Sequence, residues 1–300
     1  MTIKEIIKKY SNKLDRLDIE LILAHSLDKT REFVLIHDEK QVTSNQSLVI
    51  SKLIKRRIKG EPIAYLIGHK EFYGLDFIVS KHTLVPRPET EMLVDCVAHS
   101  LQLTDNQNVS IIDIGTGSGC IITSIAKTLQ QTVNHKLTTR NFYATDISKE
   151  ALKLAKKNAK LHGIEKKIKF LHGNLLSPFF PEFTKLQAKK LMPKKLIIVA
   201  NLPYLSKKIY QSAPIDVKKY EPKSALYSPE QGLQYYRKLL AQIKNRLKKF
   251  SALGITCFFE ISPEQKNPLT KIIKDIFPNA KIEFEKDLAK KWRVCRIEMN

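Results

Sequence analysis

Asn201-Leu-Pro-Tyr204 combines residue types that can present a poor nitrogen nucleophile to an electrophile. A carboxamide or arylamine nitrogen is unreactive because its lone pair is delocalised. Its NH2 group carries two donors, so two fixed acceptors can hold it with the lone pair turned to a neighbouring electrophile. The side-chain oxygen of Asn201 is one such acceptor and the main-chain carbonyl of Leu202 the other. Pro203 pushes Leu202 into extended geometry and removes a competing donor. Tyr204 can stack on the planar group. Catalysis of this kind is mostly positioning.

A second group lies upstream. Gly115, Thr116, Gly117, Ser118 and Gly119 follow the apolar run Val109–Ile114 and open a helix. Glycines let the backbone turn tightly and approach a ligand. A dinucleotide site requires Gly-x-Gly-x-x-Gly, but the position of its third glycine is Cys120, and the Lys-Ser/Thr pair of a phosphate loop is absent. Gly-x-Gly-x-Gly instead resembles the class I methyltransferase loop that cradles the methionine part of S-adenosylmethionine. Asp146, at the end of the next strand, can accept both ribose hydroxyls of an adenosine, or cap the following helix together with Ser148. Asn174 and Leu175 follow the third strand, where the turn abuts adenine in methyltransferases; a plain Asx turn is the alternative for Asn174.

These groups need a frame. The runs Val109–Ile114, 141–145, Ile168–His172 and 196–200 alternate with helical stretches such as 148–162, stopped by Gly163, and a later strand is expected at Gly254–Glu260 with another near the C-terminus. Alternation of this kind gives a parallel sheet with helices on both faces, and ligands bind at the carboxyl ends of its strands. Segments 129–140 and 177–195 read as long loops. Residues 1–60 read as helices: Ile3, Ile6, Ile7 and Tyr10 share one face, Leu17, Leu21, Ala24 and Leu27 another, and a later helix capped by Ser44 or Asn45 buries Ile50, Leu53, Ile54 and Ile58 before Gly60 and Pro62 stop it. His25 and His37 suit a surface or packing role. Alternation from Glu71 to Val79 around Gly74 reads as a hairpin. The expected domains are a helical unit over 1–68, a hairpin linker over 69–86 and an α/β domain over 87–300.

Composition sets bounds. With 43% hydrophobic residues in 300, the chain can bury a sizeable core. No run approaches the roughly 18 apolar residues of a spanning helix, and the charged N-terminus lacks a signal-peptide core, so a cytoplasmic protein without a membrane partner is expected. Cys96, Cys120, Cys257 and Cys295 have neither metal-ligand nor disulfide spacing, so no metal is expected. The net charge of +22 would attract nucleic acid. It comes from 42 Lys and only 10 Arg, however, and Arg is the residue that forks onto phosphates and guanine edges.

The wider pattern resembles a known family. Val85-Pro-Arg-Pro-Glu-Thr-Glu91 follows Phe72-Tyr-Gly-Leu-Asp-Phe77. Tyr220-Glu-Pro222, Ala225-Leu226, Gly232-Leu-Gln-Tyr-Tyr-Arg237 and Glu260-Ile-Ser-Pro-Glu-Gln265 follow the Asn-Leu-Pro-Tyr group. This ordered set resembles the HemK/PrmC family of protein-(glutamine N5) methyltransferases. The resemblance implies an α/β, Rossmann-like class I methyltransferase domain behind a small helical substrate-recognition domain. It implies S-adenosyl-L-methionine as cofactor and class 1 peptide chain release factors as partners, methylated at the glutamine of their Gly-Gly-Gln motif, with no requirement for nucleic acid. Carried over by position, cofactor contacts fall on Gly115 to Gly119, Asp146, Leu175 and Asn201, and the substrate amide on Asn201, Leu202, Pro203 and Tyr204. Arg87, Glu89 and Glu91 either shape the floor of the site or latch the domains and start a helix. Asn-Leu-Pro-Tyr also resembles ribosomal RNA adenine dimethyltransferases, so an adenine-N6 methyltransferase acting on ribosomal RNA or DNA is the competing reading. A non-catalytic adaptor that only binds S-adenosylmethionine is a third, opposed by the intact Asn201, Pro203 and Tyr204.

Overall fold

The computed structural model describes residues 1–102, 108–131, 140–247 and 253–299. The chain opens with five helices: α1 (Ile3–Tyr10), α2 (Arg16–Leu27), α3 (Arg31–Ile36), α4 (Ser44–Ile58) and α5 (Ile63–Ile67). Polar side chains start four of them. Thr2, Asp15, Thr30 and Thr43 each accept a hydrogen bond from a first-turn N–H, satisfying a donor the helix itself cannot. The cap of α4 is thus Thr43, in a reciprocal box with Gln46, rather than Ser44 or Asn45. The buried face of α2 also differs from the expected one. Ile19, Ile22, Leu23, Ala24 and Leu27 pack inward, whereas Leu17 is 46% exposed. Apolar residues occupy almost every side of α2, so spacing alone permits two stripes and packing against α1, α4 and α5 selects one. Ile58 also faces solvent at the end of α4. His25 and His37 are exposed, and His37 stacks on Phe33.

Strands β1 (His69–Phe72) and β2 (Leu75–Ile78) pair antiparallel around Tyr73 and Gly74, which have φ of 54° and 67°. Two left-handed residues give the turn whose twist matches a hairpin. The hairpin is built into the following domain, since Phe72 and Phe77 belong to the cluster under one face of the main sheet.

That sheet has seven strands in the order β5-β4-β3-β6-β7-β9-β8. They are β3 (Val109–Ile114), β4 (Arg140–Asp146), β5 (Ile168–His172), β6 (Lys195–Ala200), β7 (Gly254–Glu260), β8 (Lys281–Lys286) and β9 (Trp292–Met299). The first five pair parallel as expected, whereas β9 runs antiparallel to both β7 and β8. Helices α6 (Glu91–Gln102), α7 (Cys120–Gln131) and α8 (Lys149–Leu161) cover one face. The helices α9 (Phe180–Ala188), Gln234–Leu247 and Lys266–Ile276 cover the other. Segment 177–195 is therefore not a loop throughout. Phe179 and Phe183 anchor its helix in the core beside Tyr143, an apolar pull hidden by the lysines around it. Of the other expected loop, 129–140, residues 132–139 lie outside the described residues. The four cysteines are buried and unpaired. Among the described residues no helix is long and apolar enough to cross a membrane.

β3 is buried along its whole length and lies between β4 and β6, so the turns after these three strands converge on one edge. That edge holds both chemical groups singled out in the sequence.

Candidate active site

A cleft open to solvent lies over this edge. Gly115, Thr116, Gly117, Ser118, Asp146, Ser148, Asn201 and Pro203 form the wall belonging to the sheet. The facing wall comes from His82 to Leu84, Pro86, Arg87 and Thr90, and from Pro222, Ser224 and Ala225.

The glycine loop folds back over β4, with the N–H groups of Gly115 and Thr116 donating to the Thr145 carbonyl at 2.8 and 2.9 Å. Gly119 has φ of 78°, and a Cβ there would lie 2.9 Å from that of Ala155, so this glycine permits α8 to pack close. A Cβ on Gly115 would meet the Leu202 side chain at 3.1 Å. Beneath the loop the Thr116 hydroxyl donates to Asp113 at 2.6 Å. Burial pushes the Asp113 carboxyl up to about 7. Asn158 of α8 ties the loop to the hairpin by donating to Ser118 O and Ile78 O and accepting from Ile78 N–H.

Asp146 reaches from the end of β4 to both turns. One carboxylate oxygen accepts from the Gly117 N–H at 2.9 Å and the other from the Ser148 N–H at 2.8 Å. Ser148, not Asp146, caps α8, through its own hydroxyl. Burial raises the Asp146 pKa, while these N–H groups oppose the shift. Each oxygen retains a second lone pair, so the residue can brace the loop and still accept ligand hydroxyls.

If the cleft holds S-adenosylmethionine with its ribose on Asp146, Asp146→Ala is expected to weaken that binding roughly 10- to 100-fold, because hydrogen bonds to a charged group are worth about 1.5–3 kcal/mol. It also removes two internal contacts, so the melting temperature should fall. Asp146→Asn keeps one acceptor oxygen and separates the two effects. Calorimetry should then show most of the affinity loss with little change in melting. Wild-type affinity in the folded Asn variant would confine Asp146 to bracing.

Asn201 is fixed across the cleft floor. Its Nδ2 donates to the Thr90 hydroxyl at 3.1 Å, which leaves Oδ1 as its acceptor for a ligand. Leu202 is buried, and its N–H donates to the Tyr236 hydroxyl at 3.4 Å, so this position contributes packing and an N–H as well as its carbonyl. Tyr204 lines an adjoining cavity with Leu84, Arg87, Val217 and Leu226, and is not part of the lining around the glycine loop. Burial pushes the Tyr204 hydroxyl well above the usual phenol range. The carbonyl of Tyr204 accepts from Gln265 Nε2 at 3.3 Å.

Arg87 lines both cavities and pairs with Glu221 at 2.5 Å. Glu221 is buried, and burial raises its pKa against the pull of Arg87. Glu91 accepts from the Tyr73 N–H at 2.8 Å, latching the hairpin to α6, while Glu89 is exposed. Asn174 and Leu175 stand apart from the cleft lining. Asn174 is exposed, and Leu175, with φ of 51°, packs its side chain into the core. Sequence reasoning passed over Thr90, Glu221, Glu260 and Gln265 as individual groups, although each lies in a segment that carried the family resemblance.

Two family models match the chain: the PrmC N-terminal domain over residues 3–68 and the N-6 DNA Methylase family over residues 84–277. A release factor glutamine methyltransferase of Bacillus anthracis is 34% identical over 281 residues, covering 93% of this chain and 91% of its own length. The chain belongs to the release factor glutamine methyltransferase family. Another member, from Dictyoglomus turgidum, is 32% identical over 98% of both chains. A bifunctional methyltransferase of Rickettsia prowazekii is 34% identical over 82% of this chain but only 48% of its own. The solved hMettl16 catalytic domain in complex with MAT2A 3'UTR hairpin 1 shares the fold, with a TM-score of 0.52 over 92% of this chain and 90% of that one, at 14% identity. The family and fold make this chain a methyltransferase with a Rossmann-like α/β domain, and the cleft over β3, β4 and β6 is its candidate active site.

Proposed function

We propose that the enzyme transfers a methyl group from S-adenosyl-L-methionine to the side-chain amide nitrogen, N5, of the glutamine in the Gly-Gly-Gln motif of class 1 peptide chain release factors. Membership of the release factor glutamine methyltransferase family carries the choice of acceptor, and the anchored Asn201, whose Nδ2 is held by Thr90 so that Oδ1 remains for an acceptor NH2 group, supports transfer to a planar nitrogen. The residues present fit the cofactor. Gly115 and Gly117 line the cleft with bare backbone, Gly119 lets α8 pack close beneath the loop, and Asp146 offers charged acceptors at its rim. Asn174 and Leu175 would close the adenine end only through movement of their turn or through main-chain contacts.

In this reading S-adenosylmethionine supplies a methyl already activated by its positive sulfur. Asn201 Oδ1 and the Leu202 carbonyl accept the two amide hydrogens and turn the nitrogen lone pair towards that methyl. The acceptor NH2 would exchange one hydrogen for that methyl group, the proton passing to solvent in the open cleft. Tyr204 and Arg87 flank the adjoining cavity, where the loop bearing the glutamine would enter. The helical unit would grip the body of the substrate. It is joined to the catalytic side by Tyr220, whose hydroxyl donates to Lys59 O at 3.1 Å. A release-factor substrate places the reaction in the cytoplasm.

The family-model match to N-6 DNA Methylase favours the second reading, methylation of adenine N6 in ribosomal RNA or DNA. The clamp accepts any planar NH2, so the acceptor must be tested directly. Incubation with labelled cofactor and, separately, release factor, its loop Gln→Ala variant, ribosomal RNA and DNA should label only the unmutated release factor. Comparable labelling of RNA or DNA, or equal labelling of the loop variant, overturns the assignment.

A further inference from the structure

Behind the cleft floor lies a carboxyl group that the mechanism above does not use. Glu260, the last residue of β7, is 1% exposed. The strand order places β7 beside β6, so the side chain at its end lies next to the turn carrying Asn201 to Tyr204. The Tyr204 hydroxyl donates to Glu260 Oε1 at 3.4 Å. The Thr90 hydroxyl faces the same carboxyl and favours its ionised form. A hydroxyl has one proton to donate. Thr90 accepts from Asn201 Nδ2, so its proton is free to point at Glu260. Tyr236 closes the arrangement, donating to the Glu260 carbonyl and accepting from the Leu202 N–H.

A buried carboxyl with little to hold would be replaced at no loss by an apolar group. Among the described residues Glu260 Oε2 has no hydrogen-bond partner, and burial pushes the carboxyl's pKa up to about 7. The charges facing it are Arg293, itself held by Asp287 at 2.7 Å, and Glu89. The group is therefore costly to keep, and it touches Tyr204 of the proposed clamp directly and Asn201 only through Thr90. We propose that Glu260 is a positioning residue for methyl transfer, setting the Asn201 amide through Thr90 and the Tyr204 ring through its hydroxyl. It touches neither cofactor nor acceptor. The proposal rests on the clamp reading of Asn201 and Tyr204 and is independent of which acceptor enters.

The test compares Glu260→Gln, Thr90→Val, Thr90→Ser and the Glu260→Gln/Thr90→Val double variant. The assay uses whichever of release factor, ribosomal RNA or DNA the wild-type enzyme labels. A failed release-factor arm then counts against the proposed acceptor and leaves Glu260 still judged. Misplaced reacting groups cost up to about 100-fold in rate, so Glu260→Gln and Thr90→Val should each lower kcat roughly 10- to 100-fold. The Kd for S-adenosylmethionine should stay within about twofold, and Thr90→Ser should restore most of kcat. Residues acting as one unit are non-additive, so the double variant should be scarcely slower than the worse single one. Unchanged kcat in the single variants, multiplicative losses in the double, or a cofactor affinity that falls in step with kcat would overturn the proposal. Should Glu260→Gln fail to fold, Tyr204→Phe decides, because it removes only the hydroxyl that reaches Glu260: kcat should fall with cofactor Kd unchanged, and unchanged kcat would overturn the proposal.

Discussion

Asn201→Ala should lower kcat by roughly 10²- to 10³-fold, the size of losing one preorganised transition-state hydrogen bond, and leave cofactor affinity and folding nearly intact. The separation follows from where the side chain sits. The glycine loop and Asp146 lie over the ends of β3 and β4, whereas Asn201 follows β6 and reaches Thr90 across the floor. Truncation at 201 thus removes the Oδ1 acceptor and one internal hydrogen bond but leaves the loop braced by Asp146. Leu202→Pro supplies the contrast. It keeps the carbonyl of the clamp and gives up the N–H donated to Tyr236 and the buried side chain against Gly115. Its main cost should appear as a lower melting temperature with a much smaller loss of kcat. Rapid-quench single-turnover rates, with calorimetric cofactor affinities, separate the two variants. If Leu202→Pro abolishes turnover in a folded protein while Asn201→Ala keeps it, the amide is not held by Oδ1.

Local chemistry made much of this site legible in the sequence. The glycine loop, Asp146 and Asn201 to Tyr204 each follow an apolar strand, and a parallel sheet brings the ends of neighbouring strands together. Strand order then decides which of them share a cleft. β3 lies between β4 and β6, so Gly115, Asp146 and Asn201 meet. β5 is the outer strand beyond β4, and Asn174 and Leu175 consequently fall outside the lining. Long-range pairings were not legible. Thr90 and Asn201 are 111 residues apart, and Arg87 and Glu221 are 134 apart. Nothing in either segment alone announces its partner. The buried face was misread where two apolar patterns compete, as on α2, and a helix was missed where lysines hide an anchoring aromatic pair, as on α9. β8 escaped notice because its charged residues alternate with only two apolar ones, Ile282 and Phe284.

The same long-range logic singles out Gly232, whose replacement should be the most damaging glycine substitution in the chain. Glu230, Gln231 and Gly232 all have positive φ, at 52°, 56° and 87°. This turn brings Gly232 against the back of the Asn-Leu-Pro-Tyr turn. A Cβ at position 232 would lie 2.0 Å from the Tyr204 carbonyl oxygen and 2.6 Å from Gln265 Nε2. Neither neighbour can easily give way, because Gln265 Nε2 donates to both Tyr204 O and Gly232 O while its Oε1 accepts from Ser262 N–H. Ordinary contact would require the Tyr204 main chain to retreat by more than about 1 Å, a displacement that costs on the order of 100-fold in rate. The left-handed conformation adds about 1–2 kcal/mol for a residue with a Cβ. Gly232→Ala should therefore lose kcat by about 100-fold or more and melt at lower temperature, with cofactor affinity preserved because Asp146 and the glycine loop lie on the far side of β6. Gly74→Ala is the matched control, with φ of 67° and nothing within 4 Å of its Cβ. It carries the conformational cost alone and should melt lower with kcat unchanged. If the two variants lose stability alike and both keep wild-type kcat, contact with Gly232 does not set the position of Tyr204.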